Sequence, residues 1–325
     1  GDMFLRQLEY LVALAQEQHF TRAAQHCNVS QPSLSNAIKQ LERELGTPIV
    51  LRHQRFQGFT TEGARIIEWS KRILADRDAM LQELSVLKKN LSGRLRLGAM
   101  PTSSPILPFI NRRFLDLHPG VQIEVSFLGL EEMRVKLTNF DLDVGITYID
   151  QKQPVPLVSL PLYKEHLSLL VPDDDRVPAA ASMSWAEAAE LPLCLLSANM
   201  HERTIIDSAF ASVGKSPKPQ IESDSIVNLA FHTMRGGVVT IVPSHFDLVI
   251  GAFPGTRVVR LVEPEVVREV GLIWVDGDPM LPMAKAMLGL LKPLSGGGEF
   301  TRRLAGKDQP DNAAAPRAGR AALPR

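Results

Sequence analysis

The sequence predicts an α-helical winged helix-turn-helix at the N-terminus, one long helix after it, and a larger α/β domain beyond. Three observations predict this. Residues 20–35 read as two short helices joined by a tight turn. Residues 62–91 contain no proline, and no glycine after Gly63, while apolar side chains recur at seven-residue spacing. After Gly93, strand-like and helix-like segments alternate, which is the pattern of an α/β fold.

Phe4, Leu8, Leu11, Val12 and Ala15 lie at helical spacing and define a first helix with one buried stripe. Phe20 opens a second, with Thr21 as its expected N-cap and Ala23-Ala24 as a small, closely packing face. Asn28 suits the left-handed backbone of a tight turn. Ser30 is the expected cap of a third helix, and Pro32 fits its first turn, where a missing N–H costs nothing. Leu34, Ile38, Leu41 and Leu45 form the buried face of that helix, and Gly46 stops it.

With that face buried, Gln31, Ser33, Ser35, Asn36 and Lys39 point outward. Gln and Asn can bond an adenine edge with two hydrogen bonds, and Ser can bond a base or a phosphate. Short apolar runs around a basic tip, residues 49–60, suggest a two-stranded wing that brings Arg52 and Arg55 to a DNA backbone or minor groove. Thr21, Arg22, Ser30 and Pro32 complete the expected DNA-facing set. Residues 1–65 carry seven basic against six acidic side chains, so binding requires charge gathered on one face and doubled in a dimer.

These residues resemble the N-terminal domain of LysR-type transcriptional regulators. The pattern runs through Phe20, Ala23-Ala24, Ser30 to Ser35, Ile38, Leu41-Glu42, Leu45-Gly46, Arg52 and Thr60-Thr61-Glu62-Gly63. The resemblance continues in the order of parts over about residues 3–295. It implies a winged helix-turn-helix over 3–61, a linker helix over 62–92, and a two-lobed effector domain over 93–295 that resembles periplasmic solute-binding proteins. It places one lobe at about 93–161 and 269–295 and the other at about 162–268. It also implies a homodimer or homotetramer on double-stranded promoter DNA, a small-molecule effector, and contact with RNA polymerase if the protein activates.

The long helix carries two heptad ladders, one of Ile66, Ile73, Met80 and Leu87 and one of Ser70, Arg77, Leu84 and Leu91. A long helix with one apolar stripe needs a partner, so Ile66, Ile73, Met80, Leu84, Leu87 and Leu91 are the expected dimer contacts. The alternative is that this helix packs on its own domain, for which Trp69 and Leu81, just off this seam, are the available residues.

In the α/β half, strand–helix–strand–helix–strand from Arg94 to Tyr148 predicts a parallel sheet. A second set follows from Leu167 to Val242, and a last strand and helix span Val270 to Leu291. Effector candidates sit at strand ends and helix starts: Pro101, Thr102 and Ser103; Thr147 and Tyr148 at a crossing between lobes; and Asn199, His201 and Arg203. Hydroxyls beside a helix start favour a small anionic metabolite. Residues 97–104 and 143–148 are similar to a subgroup associated with formate dehydrogenase operons.

The 325 residues, 45% hydrophobic and with zero formal net charge, allow two or three domains and point to no bulk nucleic-acid or membrane affinity. Only Cys27 and Cys194 are present, which argues against a disulfide framework and for a reducing, cytoplasmic compartment. No run reaches membrane-spanning length. No nucleophile elbow, phosphate loop, or cluster with metal spacing occurs, so neither an enzyme nor a metal or cofactor is expected. A solute-binding protein with an unrelated helical bundle is the alternative. Residues 296–325, rich in Gly, Ala, Pro and Arg, are expected to be disordered.

Overall fold

The computed structural model describes residues 5–52, 56–87, 91–149, 152–174, 177, 181–295 and 300. Three helices, α1 (Leu5–Glu17), α2 (Phe20–His26) and α3 (Gln31–Leu45), pack through Leu8, Leu11, Leu14, Ala23, Ala24, Leu34, Ile38 and Leu41. The turn between α2 and α3 uses Asn28 at φ 54, and α3 ends on Gly46 at φ 66, as their residue types suggest. Thr21 is not the cap of α2. His19 is: its extended backbone lets Nδ1 accept from the Thr21 and Arg22 main-chain N–H groups at 3.2 and 3.4 Å. The wing is β1 (Val50–Arg52) against β2 (Phe56–Phe59), antiparallel.

Helix α4 (Thr61–Leu87) starts directly against the wing. A Cβ on Gly63 would lie 2.2 Å from the Ile49 carbonyl oxygen, so only glycine permits this approach. Along α4 the two ladders part. Ile66, Ile67, Ser70, Ile73 and Leu74 turn toward the helix-turn-helix core. Arg77 pairs with Glu9 of α1. Met80, Leu84 and Leu87 remain exposed, and so do Trp69 and Leu81, which do not pack locally as their position suggested. Leu91 lies beyond the helix and is buried in the α/β core, so it is removed from the seam. The seven-residue spacing ran past the point where the chain leaves the helix.

The α/β half holds β3 (Ser92–Ala99), α5 (Leu107–Leu117), β4 (Gly120–Phe127), α6 (Leu130–Thr138) and β5 (Val144–Tyr148). β3 pairs in parallel with both β4 and β5, as the strand–helix alternation predicts. Next comes β6 (Leu157–Pro172), a single 16-residue strand. The lobe boundary implied near residues 161 and 162 and the expected start of the second set at Leu167 both fall inside this one strand. Its alternating and then continuous burial reflects passage from one lobe to the other within a single sheet.

The second lobe adds β7 (Ser182–Ser184), α7 (Trp185–Ala188), β8 (Cys194–Leu196), α8 (His201–Ser212), β9 (Ile221–Ser223), α9 (Ile226–Arg235), β10 (Thr240–Pro243) and β11 (Thr256–Val262). The chain returns through β12 (Val267–Val275) to α10 (Pro282–Leu291). β12 runs antiparallel to both β5 and β6, so the sheet is mixed and not purely parallel. The long sheet orders its strands β4-β3-β5-β12-β6-β11-β7, with β10 also on β6. β6 and the β11–β12 segment therefore carry the chain between the lobes. Of the residues read as a tail, Phe300 is described; it is buried and stacks on Tyr163 with ring centroids 5.4 Å apart.

Candidate nucleic-acid interface and ligand cleft

Helix α3 buries Leu34, Ile38 and Leu41 and turns Gln31, Pro32, Ser33, Asn36 and Lys39 to solvent, with Ser35 half-buried. Ser30 caps the helix: the Ser33 N–H donates to Ser30 Oγ at 3.3 Å, and the two hydroxyls are 2.7 Å apart. Both hydroxyls thus have a local partner, while Gln31, Asn36 and Lys39 stand exposed to an incoming base or phosphate. Thr21 and Arg22 are exposed on α2. The Arg22 guanidinium donates to the Glu17 carbonyl at 2.7 Å, so it closes the end of α1 as well as edging the face. Arg52 lies in β1; Arg55 falls outside the described residues.

The second site is a cleft of about 750 Å³ between the lobes. One wall is Pro101, Ser104 and residues 127–132 at the ends of β3 and β4; the other is residues 199–201, Thr204 and residues 224–227 at the starts of α8 and α9. Of the effector candidates, Pro101, Asn199 and His201 line it. Thr102, Ser103, Thr147 and Tyr148 lie buried behind that surface. Ser103 Oγ donates to the Met100 carbonyl at 2.6 Å and so serves its own turn. Arg203 does not face the cleft. It is 7% exposed, donates to the Leu196 carbonyl at 2.8 Å and to Asp207 at 2.9 Å, and approaches Glu222 at 3.4 Å. Its position near a helix start suggested ligand contact; packing turned it inward to pin α8 against β8 and β9.

Three helices begin on the cleft. α6 and α8 have no side-chain cap, while α9 is capped by Ser225, which accepts from the Asn228 N–H at 3.3 Å. Uncapped N–H groups and the helix dipole favour an anionic group. Carboxylates also stand there. Glu131 is paired with Arg134 at 2.6 Å, and Glu132 approaches Lys136 at 3.8 Å. Reading the sequence missed the α6 and α9 starts, although they occupy the same strand-end position as the two starts it named.

Behind His201 lies a polar cluster. Tyr148 donates its hydroxyl to Glu165, and the Tyr148 and His201 rings are 6.0 Å apart. His245 Nε2 is 3.2 Å from the Thr102 carbonyl oxygen, which ties the second lobe to the first. Burial pushes the His245 imidazole down to about 4 and the Glu202 carboxyl up to about 7. Burial, with the nearby Glu165, raises both Tyr148 and Tyr163 well above the ordinary tyrosine value. Glu165, Glu202 and His245 escaped notice because no spacing marks them; three separate elements bring them together.

Among the described residues no group of three or more His, Cys, Asp or Glu side chains could hold a metal ion, and no helix is long and apolar enough to cross a membrane.

Comparison with known proteins agrees with this architecture. Residues 5–64 match the bacterial regulatory helix-turn-helix protein, lysR family, and residues 88–295 match the LysR substrate binding domain. The chain is 27% identical over 279 residues to the DNA-binding transcriptional dual regulator OxyR of Escherichia coli K12, covering 86% of this chain and 91% of that protein. It is 29% identical over 310 residues to an SDS degradation transcriptional activation protein of a Pseudomonas species, covering 88% and 95%. A full-length OxyR variant from Pseudomonas aeruginosa superposes with TM-score 0.68 at 27% identity, over 90% of this chain and 97% of that one. Full-length CbnR, solved with its target DNA, shares the fold with TM-score 0.65 at 20% identity, over 90% and 99%. The helix-turn-helix match disfavours a solute-binding protein with an unrelated bundle. With both halves matched in order, the chain belongs to the LysR family of DNA-binding transcriptional regulators.

Proposed function

We propose that this regulator binds promoter DNA as a homo-oligomer, a dimer or a tetramer built from dimers, in the cytoplasm. A small metabolite in the inter-lobe cleft then changes its hold on that DNA. The supporting observation is the split of α3 into one face sealed in a core and another with Gln31 and Asn36 exposed in its N-terminal half and Lys39 just beyond it. That half of a recognition helix is the part that reaches base edges. We divide the chain at 61/62 and 92/93 into reader, linker and effector domain, with the exposed Met80, Leu84 and Leu87 pairing two linkers. Arg52 and Arg55 on the wing contact the backbone, and an activating form contacts RNA polymerase.

The uncapped starts of α6 and α8 support a ligand with an acidic group. Similarity to the formate dehydrogenase-associated subgroup makes formate the first probe among small carboxylates. Curated relatives include proteins named as hydrogen peroxide-inducible genes activators. Oxidation of a thiol by peroxide needs an accessible thiolate. Here Cys194 is fully buried with its thiol raised by desolvation, and Cys27 is raised by burial and by Glu9. A bound ligand is therefore the better-supported signal.

Footprinting on the protein's own upstream region, at graded salt, tests the reading. A protected site at moderate salt that widens, narrows or shifts with metabolite is expected. A monomer that protects no site with or without metabolite sinks the proposal.

A further inference from the structure

The cluster behind His201 joins both lobes. Thr102 and Tyr148 come from the first lobe, Glu202 and His245 from the second, and Tyr163 and Glu165 from the shared strand β6. Inside it Glu202 Oε1 is buried without a hydrogen-bond partner, on a residue 4% exposed. Thr102 Oγ1 is likewise buried; it lies close enough to the Tyr148 hydroxyl to lower that group's pKa, yet makes no hydrogen bond of good geometry. The Glu202 charge also raises the Tyr148 pKa, so both groups act on one phenol.

Glu165 is provided for: it accepts from Tyr148 and faces Arg268 across the β6–β12 ladder. Glu202 is not. Its proton affinity is set by burial and by its own main-chain N–H, with no cation contributing. The guanidinium next to it in sequence, Arg203, is committed to Leu196, Asp207 and Glu222. His245, the cluster's other titratable side chain from the second lobe, is held neutral near physiological pH by its own burial. A buried carboxylate with no cation costs several kcal/mol, and a buried acceptor with no donor adds to that cost.

The geometry points to a cation subsite just behind the cleft wall at Pro101 and His201, whose sequence neighbours are Thr102 and Glu202: it receives a protonated primary amine of the effector, with Glu202 as counter-ion and Thr102 Oγ1 as a second acceptor. This rests on the cleft being the effector site. An ammonium group offers three donors and one positive charge, which is what this pair of acceptors lacks. A second carboxylate placed here would meet Glu202 as a like charge. The uncapped start of α6, on the facing wall, is where the acid group of the same molecule belongs. The effector class is thus a small amphoteric molecule, amine at one end and carboxylate at the other.

Matched triplets test this on the full chain by titration calorimetry and thermal shift: 4-aminobutyrate, butyrate and propylamine; 5-aminovalerate, valerate and butylamine; 6-aminohexanoate, hexanoate and pentylamine. An ammonium-bearing member is expected to bind and to stabilise. Its affinity should fall tenfold or more in Glu202→Gln, and by a smaller factor in Thr102→Val. Three results overturn the inference: a deaminated carboxylate binding as tightly as its amino acid, Glu202→Gln binding unchanged, or no ammonium-bearing compound binding the parent protein. The comparison within each triplet needs only the parent chain, so a variant that misfolds does not spoil it. Promoter binding measured on the same preparation separates the failures. If it persists, only the subsite is wrong; if it is absent, the underlying reading fails as well.

Discussion

Three side chains carry the consequences that can be measured most directly. Gln31 stands exposed in the first turn of α3, where an amide can hold an adenine edge by two bonds. Gln31→Ala is expected to weaken specific binding by about 1–3 kcal/mol at one base position. Lys39 sits two turns further on and is exposed. Its replacement by Ala should weaken binding to all sequences alike and lower the salt slope by about one. Anisotropy titrations over a salt series, on specific and scrambled duplexes, distinguish the two behaviours. Glu202 makes a pH prediction. Its carboxyl titrates at about 7 when folded, against an ordinary value of 4.5. Between those values the unfolded chain loses the proton and the folded chain keeps it, so stability is full at low pH and falls as pH rises to the folded value. The loss is about 3 kcal/mol. Glu202→Gln, which has no proton to lose, should therefore gain on the parent from pH 4.5 to 7 and hold that gain above it. A melting-temperature difference that stays flat over this range would speak against a buried, uncompensated acid.

At the scale of elements, α4 does two jobs with different stretches of one helix. Its first half is the fourth wall of the helix-turn-helix core, through Ile66, Ile67, Ile73 and Leu74. Its second half leaves Met80, Leu81, Leu84 and Leu87 exposed, at 55%, 55%, 47% and 76%. That much apolar surface on a single helix is stable in water only when another surface covers it. Leu84→Lys with Leu87→Lys is expected to shift the chain to monomer at micromolar concentration while leaving the reader folded. Sedimentation velocity and circular dichroism check the two halves of that statement. Helices were the readily legible elements, because caps such as Ser30 and Gly46 and a 3.6-residue period act locally. Strand β6 was less legible, since a strand running through both lobes changes its burial pattern midway. Leu91 kept the heptad period and still belonged to another core, because periodicity does not register where a helix ends.

In the whole molecule α4 links reader and sensor. Arg77 pairs with Glu9 in the reader, while Lys71 Nζ lies 2.8 Å from Asp141, and the Arg72 guanidinium sits 5.5 Å from the centre of the Phe140 ring. Phe140 and Asp141 follow α6, the helix whose other end opens on the cleft. A ligand that moves α6 therefore pushes on α4 and, through it, on the paired readers. Ligand can shift that arrangement only by its difference in affinity for the two states. Lys71→Ala is expected to keep the ligand-free affinity for DNA within about twofold and to shrink the change that ligand causes. Footprints with and without ligand, on parent and variant, measure both quantities. An undiminished response would remove this ion pair from the coupling path.

The sequence by itself determined the order of parts, the reader's helices and turn, and the strand ends where a ligand site forms. These depend on interactions within a few residues: capping, turn conformation and the period of burial. Only the tertiary structure decided which candidates face the cleft. It turned Arg203 inward, buried Thr102, Thr147 and Tyr148 behind the surface, and brought Glu165, Glu202 and His245 together from three distant segments. Burial and charge compensation are properties of surroundings drawn from the whole chain, and no local pattern of residues encodes them.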